Sequence, residues 1–113
     1  MKNYETIDDK RLLHLIEDSS KPMFVLFSSE WQSSIDLISH ALEKLAQQYE
    51  STFKFIEIDI EKNASVIDIF NIQKVPTFII FKDGEIIDYF SGILSRKKLE
   101  KKLINSLQTS SQM

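Results

Sequence analysis

One stretch of this chain gathers residues that could do chemistry: Ser28-Ser29-Glu30-Trp31-Gln32-Ser33-Ser34-Ile35-Asp36. It is a polar turn between an apolar run, Met23 to Phe27, and an amphipathic helical pattern. A strand that feeds a helix through such a turn presents unpaired N–H groups and the positive end of the macrodipole, which favour anions and thiolates. Gln32, Ser33 and Ser34 supply donors for a carboxylate, phosphate or sulfate. The same residue types cap a helix with no ligand at all, and capping alone is the simpler expectation. Ser33 followed three residues later by Asp36 resembles a capping box. A serine nucleophile needs an adjacent base. The two histidines are His14 and His40. His14 belongs to an earlier helix, and His40 lies about 9 to 10 Å along the helix axis from the serines at about 1.5 Å per residue. Serine catalysis is therefore not expected.

Other chemistries are bounded by composition. The chain has no cysteine, which excludes disulfides, thiol catalysis and thiolate metal sites. Two histidines without supporting ligands give no reason to expect a metal or cofactor. Glu57, Asp59 and Glu61 make an acidic strand edge, expected to be a solvated face. Arg96-Lys97-Lys98-Leu99-Glu100-Lys101-Lys102 carries five bases and one acid. It could meet an acidic partner. Lysines near a helix C-terminus also suit the macrodipole, so a solvated face is the simpler expectation. A net charge of −3 leaves no footprint for nucleic acid or acidic lipid.

The elements that must position the polar turn follow from periodicity. The 113 residues, 42% hydrophobic and 27% charged, suit one globular domain over residues 1–107, with a flexible polar tail over 108–113. Met1 to Glu5 has no apolar signal core, and no apolar run approaches bilayer length, so a cytoplasmic protein without membrane contact is the default expectation. Asn3 to Thr6 suits a short edge strand. Asp8 or Asp9 can cap a helix carrying Leu12, Leu13, Leu15 and Ile16. Met23 to Phe27 reads as a central strand covered on both faces. Ile35, Ile38, Ala41, Leu42, Leu45, Ala46 and Tyr49 form the stripe of a long helix over about 33–49. Thr52 to Ile60 alternates as a strand. Asn63 can cap a short helix with Val66, Ile67, Ile69 and Phe70. Thr77 to Phe81 is a second apolar strand, Asp83-Gly84 a hairpin turn, and Glu85 to Ser91 its antiparallel partner. Ser95 can cap a last helix whose stripe is Leu99, Leu103, Ile104 and Leu107. The order is β-α-β-α-β-α-β-β-α, an α/β domain in which helix-linked strands are expected to run parallel and the final hairpin to add an antiparallel strand.

Several anchors stand together: Lys21-Pro22 before the central strand, Phe27, Glu30-Trp31 at the long helix, Val75-Pro76-Thr77, Phe81-Lys82-Asp83-Gly84-Glu85 and Gly92. By these the chain resembles the thioredoxin family over about residues 3–107. The resemblance implies a thioredoxin fold, a central mixed sheet with a parallel core and a C-terminal antiparallel hairpin, flanked by helices. The family signature after the tryptophan is Cys-Gly-Pro-Cys; Gln32-Ser33-Ser34-Ile35 occupies those positions here. The family's buried acid in the central strand falls on Leu26, and the lysine that often neighbours it falls on Glu57. The family's cis proline, which faces the active site, falls on Pro76.

By that resemblance, the backbone before Pro76 pairs with an extended peptide, and Trp31, Gln32, Val75, Pro76, Gly92 and Ile93 line a shallow groove. Peptide capture by backbone pairing needs no thiol. The expectation is a redox-inactive member with no catalytic residue, binding a protein or peptide as an adaptor or chaperone-like module. It would be a monomer, or a weak homodimer joined through the groove. The alternative is an auxiliary part in thiol–disulfide homeostasis, presenting substrates to another protein's thiol.

Overall fold

The computed structural model describes residues 3–32 and 35–109. Its elements follow in the order β1 (Glu5–Thr6), α1 (Asp9–Asp18), β2 (Met23–Ser28), α2 (Ile35–Gln48), β3 (Lys54–Asp59), α3 (Ser65–Ile69), β4 (Thr77–Lys82), β5 (Glu85–Ser91) and α4 (Arg96–Thr109). The last helix thus continues through Gln108 and Thr109; the rest of the expected tail, 110–113, lies outside the described residues.

The strands form one mixed sheet in the order β1-β3-β2-β4-β5. β1, β3 and β2 run parallel, while β4 is antiparallel to β2 and β5 to β4. β4 therefore departs from the rule that helix-linked strands run parallel. α3 is only five residues long, about 7.5 Å at about 1.5 Å per residue, and the connection as a whole does not run back along β3. β3 leaves the sheet at the level of Phe27 and Ser28, and β4 re-enters it at the same end, with Thr77 opposite Phe27.

β2 sits at the centre, and all six of its residues are buried. Its side chains alternate between two cores, as a pleated strand covered on both faces requires. Phe24 and Leu26 join Phe55, Phe78, Ile38, Leu42 and Leu103 beneath α2 and α4. Met23, Val25 and Phe27 join Leu12, Ile56, Ile58, Val66 and Ile79 beneath α1 and α3. A bulge in β5 between the Ile80–Asp88 and Phe81–Ile86 pairs resets its alternation. Ile87 and Phe90 can then both pack on the α2/α4 side.

Local signals explain most boundaries. Asp8 caps α1, its carboxylate accepting from Arg11 N at 2.8 Å, a contact worth about 1 kcal/mol. Ser95 Oγ accepts from Lys98 N at 3.2 Å at the start of α4. Asp83 and Gly84 both have positive φ, 54° and 81°, as a two-residue hairpin turn demands. Two expectations are corrected. Asn63 does not cap α3 with its side chain; that amide spans the gap to α1, accepting from Asp9 N at 3.1 Å and donating to Asp59 O at 3.0 Å. Ile104 is 41% exposed, because it lies about 100° around the helix from the buried Leu103. Ser106 takes the buried place instead.

Candidate functional site

The expected site residues come from three strand ends. Phe27 pairs with Thr77, and Thr77 pairs with Ser91. Just beyond that row lie the turn 29–32, the Val75-Pro76 segment and Gly92-Ile93. Gly92 N donates to Pro76 O at 3.0 Å, which ties two of these loops together. The Val75–Pro76 peptide bond is cis. Gly92 has φ +106°, a conformation that side chains disfavour, although a Cβ there would meet nothing within 4 Å. Backbone shape, rather than space, calls for glycine. Pro76 is buried, while Val75, Gln32 and Gly92 are half-buried. Trp31 and Ile93 stand out at 80% and 61% exposed.

The polar turn is closed on itself. Ser29 N donates to Gln32 Oε1 at 3.1 Å, and Gln32 N donates back to Ser29 O at 3.1 Å. Trp31 N donates to Ser29 Oγ at 3.2 Å, and Ile35 N donates to Gln32 O at 3.3 Å. Gln32 therefore folds its carbonyl into the turn and acts as a clip at the entrance to α2. Ser33 and Ser34, with the expected capping box and anion site, lie outside the described residues. Ile35 is half-buried at the first turn of α2.

Beneath the turn, the position to which the resemblance assigns a buried acid is hydrocarbon. Leu26 is fully buried, flanked in register by Glu57 on β3 and Phe78 on β4. The Glu57 carboxylate turns to the sheet end and accepts from Ser28 Oγ at 2.8 Å. Ser29 Oγ lies 3.4 Å from Glu61 Oε2. Both serines are buried and partnered, so neither is a free nucleophile. No group of histidines and carboxylates among the described residues could hold a metal ion.

Among the described residues two titrations are perturbed, both by hydrogen bonds outside this surface. The Ser65 hydroxyl, donating to Asp9 Oδ2 at 2.6 Å, holds the Asp9 carboxyl below its usual range. The Glu100 carboxylate, accepting from Tyr49 Oη at 2.5 Å, pushes the Tyr49 phenol up. That second contact clasps α2 to α4, and Gln48 Nε2 reinforces it at 3.0 Å from the same carboxylate oxygen.

Toward the start of α2 the two elements part. An open groove of about 580 Å³ lies between α2 and the β5–α4 connection. Leu37, Ile38, Ala41, Ile93 and Leu94 are its apolar lining, and His40, Lys44, Ser95 and Arg96 its polar lining. Of the residues expected from sequence, Ile93 lines it; Trp31, Gln32, Val75, Pro76 and Gly92 do not. The missed residue with the clearest signal is Leu37, an apolar residue off the buried stripe of α2 and 66% exposed. The basic run also needs correction. Arg96, Lys97 and Lys98 open α4 rather than close it, and its first turn holds no acid. Cations there oppose the macrodipole, so helix stability does not account for them.

Comparison with known proteins comes out consistently. The family model described as Thioredoxin matches residues 3–105. The chain is 32% identical over 107 residues to "Thioredoxin Y2, chloroplastic" of Arabidopsis thaliana, covering 95% of this chain and 61% of that protein. It is 27% identical over 97 residues to "Thioredoxin 1" of Nostoc sp., covering 86% of this chain and 91% of that protein. The chain thus spans about three fifths of the length of the Arabidopsis protein.

Proposed function

This chain belongs to the thioredoxin family, and from that premise we propose that it binds a protein or peptide segment at the surface of Trp31, Gln32, Val75-Pro76 and Gly92-Ile93. It does so as an adaptor or chaperone-like module that transfers no electrons there. The redox dithiol is absent, since the sequence has no cysteine. Leu26, where the family's buried acid falls, has no proton to give.

The observation that carries the binding role is the exposure of Trp31 and Ile93, 80% and 61%, beside a loop pair held by the Gly92–Pro76 hydrogen bond. Large exposed apolar side chains around a fixed backbone edge suit peptide capture. Covering the Trp31 ring would remove on the order of 150 Å² of apolar surface, about 4 kcal/mol gross at about 25 cal/mol/Å². Association entropy offsets part of that. Affinity capture from the native cell, with Trp31→Ala as control, tests the proposal. A captured protein that is lost with the variant supports it; a captured set unchanged by the variant overturns it.

Family membership favours a second reading, an auxiliary part in thiol–disulfide homeostasis in which the chain presents a disulfide substrate to another protein's thiol. Insulin reduction by dithiothreitol separates the two. Acceleration above the uncatalysed rate favours the second reading; an unchanged rate favours the first.

A further inference from the structure

The groove between α2 and the β5–α4 connection has a chemistry of its own. Its apolar lining includes Leu37 and Ile93, two of the most exposed large hydrophobic residues of the chain at 66% and 61%. Its ionisable lining residues are His40, Lys44 and Arg96, with no acid among them, in a chain whose net charge is −3. One acid on each flanking helix is engaged elsewhere. Glu100 accepts from Tyr49 and Gln48, and Glu43 accepts from Asn3 N at 2.6 Å. Asp36, one turn before His40, is exposed in the first turn of α2. No ion pair to Lys44 or Arg96 forms among the described residues. Lys97, next to Arg96, adds another cation at the same end of α4.

We infer that this groove is a docking site for an acidic segment of a partner protein, one that places large apolar side chains against Leu37, Ala41 and Ile93 and carboxylates against Lys44 and Arg96. Charge complementarity identifies the occupant. An acidic chain repels most acidic partners, so a cationic patch beside exposed apolar side chains selects a ligand of opposite sign and steers its approach. A concavity of about 580 Å³ falls in the range that holds several side chains. The inference deepens the peptide-binding reading, since Ile93 belongs to both surfaces: a segment crossing Trp31 and Pro76 continues past Ile93 into the groove.

The test is selection of a displayed random-peptide library on the immobilised full chain, followed by affinity measurement of an enriched synthetic peptide on three proteins. These are the wild type, the Lys44→Glu/Arg96→Glu double variant and Trp31→Ala. The changed side chains are all exposed, and circular dichroism confirms folding of each variant. Enriched sequences are expected to combine Asp or Glu with large apolar residues. The double variant is expected to weaken binding about tenfold or more at low salt, with a smaller effect at high salt, from two reversed charges. Loss in the double variant with Trp31→Ala unaffected upholds the groove and overturns the Trp31 surface. Loss in Trp31→Ala alone upholds that surface and overturns the groove inference. Enrichment without acidic bias, or no enrichment, also overturns the inference.

Discussion

Replacing Leu26 by Asp puts a carboxyl back where the family keeps one, and the structure says what that costs here. Leu26 is fully buried, between Glu57 and Phe78 in register, in the core beneath α2 and α4. Removing the leucine forfeits about 2 to 3 kcal/mol of apolar burial. The new carboxyl would be buried among Phe24, Phe78 and Leu42, and burial raises its pKa, with the Glu57 carboxylate on the neighbouring strand adding like charge. A rise of about three units over an unfolded value near 3.9 puts the folded value near 7 and costs about 4 kcal/mol at neutral pH, at about 1.36 kcal/mol per unit. The sign follows from linkage. Below about pH 4 the carboxyl is neutral in both states and adds no charge penalty. Between about pH 4 and pH 7 the unfolded state ionises while the folded state holds its proton, so stability falls as pH rises, then levels off. The total, about 6 to 7 kcal/mol near pH 7, is comparable to the stability of a small domain, about 5 to 15 kcal/mol. Urea unfolding of Leu26→Asp and Leu26→Asn from pH 4 to pH 8 isolates the charge, since both lose the leucine. The Asp variant is expected to fall progressively below the Asn variant across that window. A pH-independent difference would show that position 26 is hydrated or that a cation reaches it, refuting the picture of a dry, apolar replacement.

Three further outcomes follow from particular contacts. Tyr49→Phe removes the hydroxyl that donates to Glu100 and should lower stability by less than about 1 kcal/mol at neutral pH, the pair being partly exposed. Because the Tyr49 phenol is raised, that difference is present below the unfolded pKa near 10 and vanishes as pH rises through the folded value; denaturant midpoints at pH 8 and above pH 11 check it. Asn63→Ala loses the bonds to Asp9 N and Asp59 O and should cost about 1 to 2 kcal/mol, measured as a midpoint shift at constant m-value. Trp31→Ala should leave stability within about 0.5 kcal/mol, because the ring is 80% exposed; a larger loss by thermal melting would mean that Trp31 packs inside the protein.

Much of this architecture was legible in the sequence because local signals agree with the fold. The run from Met23 to Phe27 is apolar because β2 is covered on both faces. Asp83-Gly84 is a hairpin turn because both residues have positive φ. The misses are tertiary. The direction of β4 depends on the course of the chain between β3 and β4, which no periodicity encodes. Asn63 has the composition of a helix cap, yet its partners are Asp9, 54 residues away, and Asp59. That Trp31, Pro76, Gly92 and Ile93 fall at one end of the sheet could be anticipated from their motifs, whereas the groove could not. It forms where Leu37 and Lys44 on α2 meet Ile93 and Arg96, and only the packing of α4 against α2 brings those segments together.

The most direct test of a binding surface retained without electron transfer is an amide-shift map of the uniformly ¹⁵N-labelled chain, titrated with a peptide selected on the wild type. The expected result is saturable movement of the Trp31 indole and the Val75, Gly92 and Ile93 amides, continuing into Leu37 and Lys44. Silence of Trp31, Val75 and Gly92 while other residues shift at the same peptide concentration would contradict it.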